Sequence, residues 1–163
     1  MFFSGKNNFY DKYFIKLEEI PLYYINLDRS KNRLYNLEKN IIETNNLLKS
    51  KNIRFKPTRI PAIDGEKLDE YKYIIDRYNY EGDETDYEIA CSCSHLMAIK
   101  QAYEWNEEMI IVCEDDIYLN PFYSNYDNFI QNLTYLDSNF EVIQGFIINE
   151  NKKNCKSFNF INN

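Results

Sequence analysis

The chain of 163 residues is long enough for one domain with a real core and too short for two comfortable ones. Hydrophobic residues make up 44% and aromatics 17%, with only 4 Gly and 4 Pro, which excludes a disordered, fibrous or loop-dominated chain. A net charge of −7 attracts neither a phosphate backbone nor an anionic membrane surface, so no nucleic-acid partner is expected, although a single nucleotide carried with a metal stays open.

Residues 1–20 are polar and aromatic without a clear period and read as a lead-in segment. They contain no apolar h-region with a cleavage site, and no run approaches the roughly 18 apolar residues of a membrane span. A cytoplasmic protein with neither signal peptide nor span is expected. Residues 21–27, PLYYINL, are β-branched and aromatic and predict a buried strand. Asp28 and Ser30 follow as capping candidates. Leu34, Leu37, Ile41, Ile42 and Leu48 then recur at helical spacings and predict an amphipathic helix.

A second strand is expected over residues 53–63, with Pro57 and Pro61 making it irregular or placing it at an edge. Asp64-Gly65 ends it with turn chemistry. Residues 66–77 predict a helix and residues 80–86 an acidic loop. Residues 91–105 predict another helix, with Leu96, Ile99, Ala102 and Tyr103 as its apolar positions. A strand at 109–113, a helix at 122–136 and a last strand at 142–148 follow, and the chain from 149 is polar and Asn-rich. This alternation predicts an α/β fold, a mostly parallel sheet with helices on both faces, in one domain over residues 21–150 and a polar tail over 151–163.

The cysteines Cys91, Cys93, Cys113 and Cys155 do not form a disulfide framework pattern, and Cys113 sits in an apolar run as a small hydrophobe; a reducing compartment is expected. The stretch Cys91-Ser92-Cys93-Ser94-His95 invites a zinc reading. On a helix, however, Cys91 and His95 share a face and Cys93 lies roughly opposite, so a C-x-C-x-H chelate would need an extended segment. A lone histidine on a helix is more often a hydrogen-bonded packing residue.

The segment MIIVCEDDIYLNP ends an apolar strand on three carboxylates, Glu114, Asp115 and Asp116. Ligands in such sheets bind beyond the carboxyl ends of the strands. If the segment stays extended, Glu114 and Asp116 point one way and Asp115 the other. Two carboxylates on one side suit a hard divalent ion, Mg²⁺ or Mn²⁺; a solvated acidic turn is the alternative. Arg29, Lys31 and Arg33 could meet a pyrophosphate or simply dress a helix. No dinucleotide, P-loop or nucleophile-elbow motif occurs.

Four ordered blocks carry a resemblance. Ile25, Asn26, Leu27, Arg29 and Arg33 fit I-N-L-x-R-x-x-x-R. Arg59, Ala62, Asp64 and Gly65 fit R-x-x-A-x-D-G. Glu88, Cys91, Ser94 and His95 fit G-E-x-G-C-x-x-S-H, with Ala90 in place of its second glycine, and Glu114, Asp115 and Asp116 fit E-D-D. Together they resemble glycosyltransferase family 25, which includes lipooligosaccharide and collagen galactosyltransferases.

The resemblance implies a GT-A-like, Rossmann-like three-layer sandwich that transfers a hexose, galactose or glucose, from a UDP-sugar to a hydroxyl of a glycan or glycosylated-protein acceptor. It implies Mn²⁺ (or Mg²⁺) on Asp116 and Glu114, with Ile25, Asn26, Leu27, Arg29, Arg33, Ala62, Asp64, Gly65, His95, Glu114 and Asp115 around the nucleotide-sugar. The blocks cover about the first two-thirds of the family's usual catalytic domain. The acceptor-side region that usually supplies the base is expected to be missing, so no base is nominated. A non-catalytic nucleotide-binding or interaction module is the alternative, and an uncovered sheet edge implies self-association or a completing partner.

Overall fold

The computed structural model of the chain describes residues 2–4, 19–77, 84–107, 109–124 and 142–143. Its sheet holds β1 (Phe2–Ser4), β2 (Glu19–Asn26), β3 (Arg54–Pro61), β4 (Met109–Glu114) and β5 (Val142–Ile143) in the order β3-β2-β4-β1-β5. Strands β3, β2 and β4 are mutually parallel, while β1 runs antiparallel to both β4 and β5. The result is the expected Rossmann-like α/β fold. One element was not legible: the predicted lead-in carries β1, whose three residues give no period to read, and β2 already begins at Glu19.

Composition explains the central strands. Every residue of Leu22–Asn26 is buried, and the side chains alternate between two cores as the pleat requires. Leu22 and Tyr24 join Ile111 and Cys113 on one face, where helix α1 (Lys31–Leu48) adds Leu37, Ile41 and Leu48. Tyr23 and Ile25 join Ile110 and Val112 on the other, where a helix we label α3 (Asp86–Glu104) adds Ala98 and Ala102. Helices thus cover both faces, giving three layers. Each large side chain buried this way is worth about 1.5–3 kcal/mol. β3 pairs only with β2 among the described residues, and Pro57 and Pro61 fit that edge position because proline donates no ladder hydrogen bond.

Helix α1 buries Leu37, Ile41 and Leu48 as their spacing implied, but both long helices depart from the predicted face in part. In α1, Ile42 is exposed while Asn40 and Thr44 are buried. The cause is tertiary: Leu119 N–H donates to Asn40 Oδ1 at 2.7 Å, and Asn40 Nδ2 and Thr44 Oγ1 donate to Asn120 Oδ1 at 2.9 and 3.0 Å. This network anchors the chain that leaves the three carboxylates. In α3, Tyr103 and Leu96 face solvent, and the buried stripe is Ala90, Cys93, Ser94, Ala98 and Ala102. Small side chains let this helix lie close to the sheet, so the largest apolar residues were the wrong guide.

Local chemistry sets the remaining boundaries. Ser30 is the N-cap of α1 but makes no side-chain capping bond. Thr85 caps α3 in a full capping box with Glu88, which starts that helix earlier than the predicted residue 91. The helix predicted at 66–77 divides into a 3₁₀ segment (Gly65–Tyr71), kinked at Lys67, and α2 (Lys72–Arg77). Most of the acidic loop at 80–86, the polar tail and Cys155 lie outside the described residues. Of the helix predicted at 122–136, residues 120–124 are helical and the rest lies outside them, as does 144–148 of the last strand.

Candidate functional site

The chain passes from β2 through α1 to β3 on one side, then returns across β2 to β4 on the other. The gap between the C-terminal ends of β2 and β4 is therefore a topological switch point, where open α/β sheets leave a crevice. A cavity of about 140 Å³ lies there, and it is lined by residues from all four sequence blocks. Nine of the twelve predicted site residues line it: Ile25, Leu27, Arg29, Arg33, Ala62, Gly65, His95, Glu114 and Asp115. Asn26, Asp64 and Asp116 are not among the lining residues, but all three bond to ones that are. Lys31, considered with Arg29 and Arg33, does not line the cavity.

Asn26 organises the floor. It is 1% exposed, and its Nδ2 donates to Asp115 Oδ2 at 2.5 Å while its Oδ1 accepts from Arg59 Nε at 3.1 Å and Nη2 at 2.9 Å. Arg59 continues to Asp28 Oδ1 at 2.6 Å. One amide thus joins the first block to the second and the fourth. An aspartate in its place would set two carboxylates against each other, and a leucine would leave both partners short of a bond.

The three carboxylates do not alternate as an extended strand would have them. β4 ends at Glu114, and Asp115 and Asp116 form a turn. The Asp115 side chain is only 7% exposed and pairs with Arg33 Nη2 at 2.5 Å; exposed Asp116 reaches the same guanidinium at 3.0 Å. Glu114 turns instead to α3, where its Oε1 lies 3.3 Å from His95 Nε2 and 3.7 Å from Cys91 Sγ. The expectation that Glu114 and Asp116 share a side to the exclusion of Asp115 fails because period-two geometry stops where the strand stops. The repulsion of three adjacent carboxylates is handled by distribution: two on Arg33, one on His95.

His95 holds the Glu114 carboxyl below its usual range, against the opposing effect of burial. Burial, reinforced by the Glu114 charge, pushes the Cys91 thiol up to about 11. Cys113, deep under the sheet, is pushed up to about 12 by burial and is inert. Cys93 is fully buried against Ile63 and Ala90, on the side of α3 away from Cys91, as the helical spacing implied.

The second block is held by the third. Ile63 N–H donates to Ser94 Oγ at 2.9 Å, and that hydroxyl donates to Ala90 O at 2.6 Å. Asp64 accepts from Glu66 N–H at 3.0 Å and pairs with Arg29, whose guanidinium also meets Glu66 Oε2 at 2.9 Å. Gly65 is needed for closeness. A Cβ there would lie 2.7 Å from Tyr87 Cδ1, 3.0 Å from Tyr87 Cα and 3.2 Å from Asp86 O. Tyr87, Cys91 and Ser94 line the cavity without having been predicted as site residues. Cys91 and Ser94 were visible in the third block; Tyr87 left no signal in the sequence.

Fold and cleft define a Rossmann-like α/β protein whose cleft lies at the switch point of its sheet. The chain belongs to glycosyltransferase family 25 (LPS biosynthesis protein), whose model matches residues 19–162. The comparison with curated proteins found no match, and neither did the comparison with solved structures. A glycosyltransferase family implies a sugar donor and an acceptor. Among the described residues, no helix is long and apolar enough to cross a membrane.

Proposed function

We propose that the cleft binds a nucleotide-sugar, of the UDP-hexose type, as a GT-A-like donor site, and that the hexose passes to a hydroxyl of a glycan or glycosylated-protein acceptor. The observation that carries this is the gathering of four separate sequence blocks around one cleft that presents Arg29 and Arg33 beside Glu114 and Asp115. Two guanidiniums suit a diphosphate, which each can bind in a forked geometry. Ile25, Leu27 and Ala62 offer the apolar wall that a nucleoside packs against.

By donor type, half-exposed Glu114 and exposed Asp116 suit a hard divalent cation, and the two carboxylates, which lean apart toward His95 and Arg33, would turn toward each other to share it. Glu114 and Asp116 are the residues that would hold Mn²⁺ or Mg²⁺. Bound there, such an ion supplies Lewis-acid neutralisation of charge on the leaving diphosphate. Asp115 is a positioning residue: locked by Asn26 and Arg33, it fixes the turn that carries its two neighbours. Arg33 shifts from carboxylates toward phosphate when the donor enters.

Calorimetric titration with UDP and Mn²⁺ tests the proposal. Binding that requires the metal and falls at least tenfold in Asp116→Ala is the expected result, followed by transfer or slow hydrolysis of a UDP-hexose. Absence of binding by any nucleoside diphosphate with metal present rejects the proposal. Binding without turnover favours the non-catalytic module.

A further inference from the structure

Cys91, His95 and Glu114 form a cluster in which the donor site proposed above gives a role only to Glu114. Cys91 and His95 are one helical turn apart on α3 and share a face, and Glu114 ends β4 opposite them. One oxygen, Glu114 Oε1, lies 3.7 Å from Cys91 Sγ and 3.3 Å from His95 Nε2, and the three ligand atoms fall within 4.8 Å of one another. Tetrahedral zinc with ordinary bond lengths sets S···O at about 3.5 Å and N···O at about 3.3 Å. The sulfur–oxygen and nitrogen–oxygen separations thus need almost no adjustment to take the ion.

The chemistry selects among metals. A thiolate and an imidazole with a single carboxylate suit a borderline-soft ion, whereas Mg²⁺ and Mn²⁺ favour oxygen. Three protein ligands leave a fourth position, and all three residues line the cleft, so that position opens to solvent or to a small anion. We propose that Cys91, His95 and Glu114 bind one Zn²⁺ with its fourth coordination position open to the cleft. Binding displaces the thiol proton to solvent. This differs from the chelate the sequence invited: Cys93 is not a ligand, and Glu114, 19 residues beyond His95, takes its place. Glu114 cannot serve a zinc ion here and a hard cation beside Asp116 at once, so Zn²⁺ competes with Mn²⁺-dependent nucleotide binding if that reading is right; the zinc site itself does not rest on it.

The test is titration of the metal-free protein with Co²⁺ and Zn²⁺. The expected result is one equivalent of Co²⁺ with a thiolate charge-transfer band, displaced by one equivalent of Zn²⁺. Cys91→Ser should abolish the band and weaken zinc at least tenfold in chelator competition. His95→Gln and Glu114→Gln should keep the band while weakening zinc by a similar factor, and Cys93→Ala should leave both unchanged. His95 is the chain's only histidine, so its imidazole resonances report Nε2 ligation without ambiguity. A band that survives in Cys91→Ser, or no zinc bound at equimolar chelator, overturns the proposal. Zinc binding with no UDP binding would reject the nucleotide-sugar reading alone, and the reverse would reject only the zinc site.

Discussion

Asn26→Leu is the sharpest probe of how the cleft floor is built. The substitution keeps the branched shape and the number of heavy atoms, with bulkier methyl groups, but removes the donor to Asp115 and the acceptor for Arg59 at a site only 1% exposed. Each charge-assisted bond lost is worth about 1.5–3 kcal/mol. Asp115 keeps Arg33, and Arg59 keeps Asp28 and the Asn26 carbonyl, so neither charge is stranded outright. The added apolar burial of leucine returns about 1 kcal/mol. The net loss should be about 2–5 kcal/mol, against a total stability for a domain of about 5–15 kcal/mol, so the variant is expected to fold. Urea denaturation followed by far-UV circular dichroism measures it. A cycle with Asp115→Ala should give a coupling of at least about 1 kcal/mol, because each single variant already removes the shared bond. A loss below about 1 kcal/mol, or additivity within about 0.5 kcal/mol, would refute the assignment of Asn26 as the joint between blocks.

Gly65→Ala drives a methyl group against Tyr87 and the Asp86 carbonyl, and should destabilise by about 1–3 kcal/mol while loosening the Ala62–Gly65 wall of the cleft. Thermal melts read the first effect and UDP titration the second; an unchanged melting temperature counts against close packing as the reason for glycine. The capping box gives a pH prediction with a definite sign. The Thr85 backbone N–H and then its hydroxyl hold the Glu88 carboxyl below its ordinary value of 4.5. Its stabilisation of α3 is therefore fully present above that value and is lost as pH falls through the lower folded value. Glu88→Gln keeps a capping side chain without titrating, so the stability difference from the parent should vanish in acid; a difference independent of pH between 3 and 7 contradicts the assignment.

The parts of the fold legible in the sequence were those set by local pattern. The apolar runs around Tyr23 and Val112 read as buried strands because a strand covered on both faces has no polar positions. The existence of α1 followed from its period, and the edge position of β3 from two prolines. The site blocks were legible as a set through their order and spacing, which carry the family resemblance; three of them sit at or just beyond strand ends and the third block on the helix that packs over the sheet. The lead-in, by contrast, hid β1, since three residues carry too little pattern to distinguish a strand from a loop.

What the sequence alone determined was which segments form the sheet, which residue types meet at its carboxyl edge, and that Cys91 and His95 share a helical face. These depend on spacing along one element, which the chain itself fixes. The tertiary structure alone decided that Asp115 is the least exposed of the three carboxylates and that Glu114 leans toward α3. It also decided that Asn40 and Thr44 are turned inward and that Gly65 is required by the approach of Tyr87. Each of these depends on partners far along the chain, and a hydrogen bond from Asn26 to a residue 89 positions away has no signature in the local period of either segment.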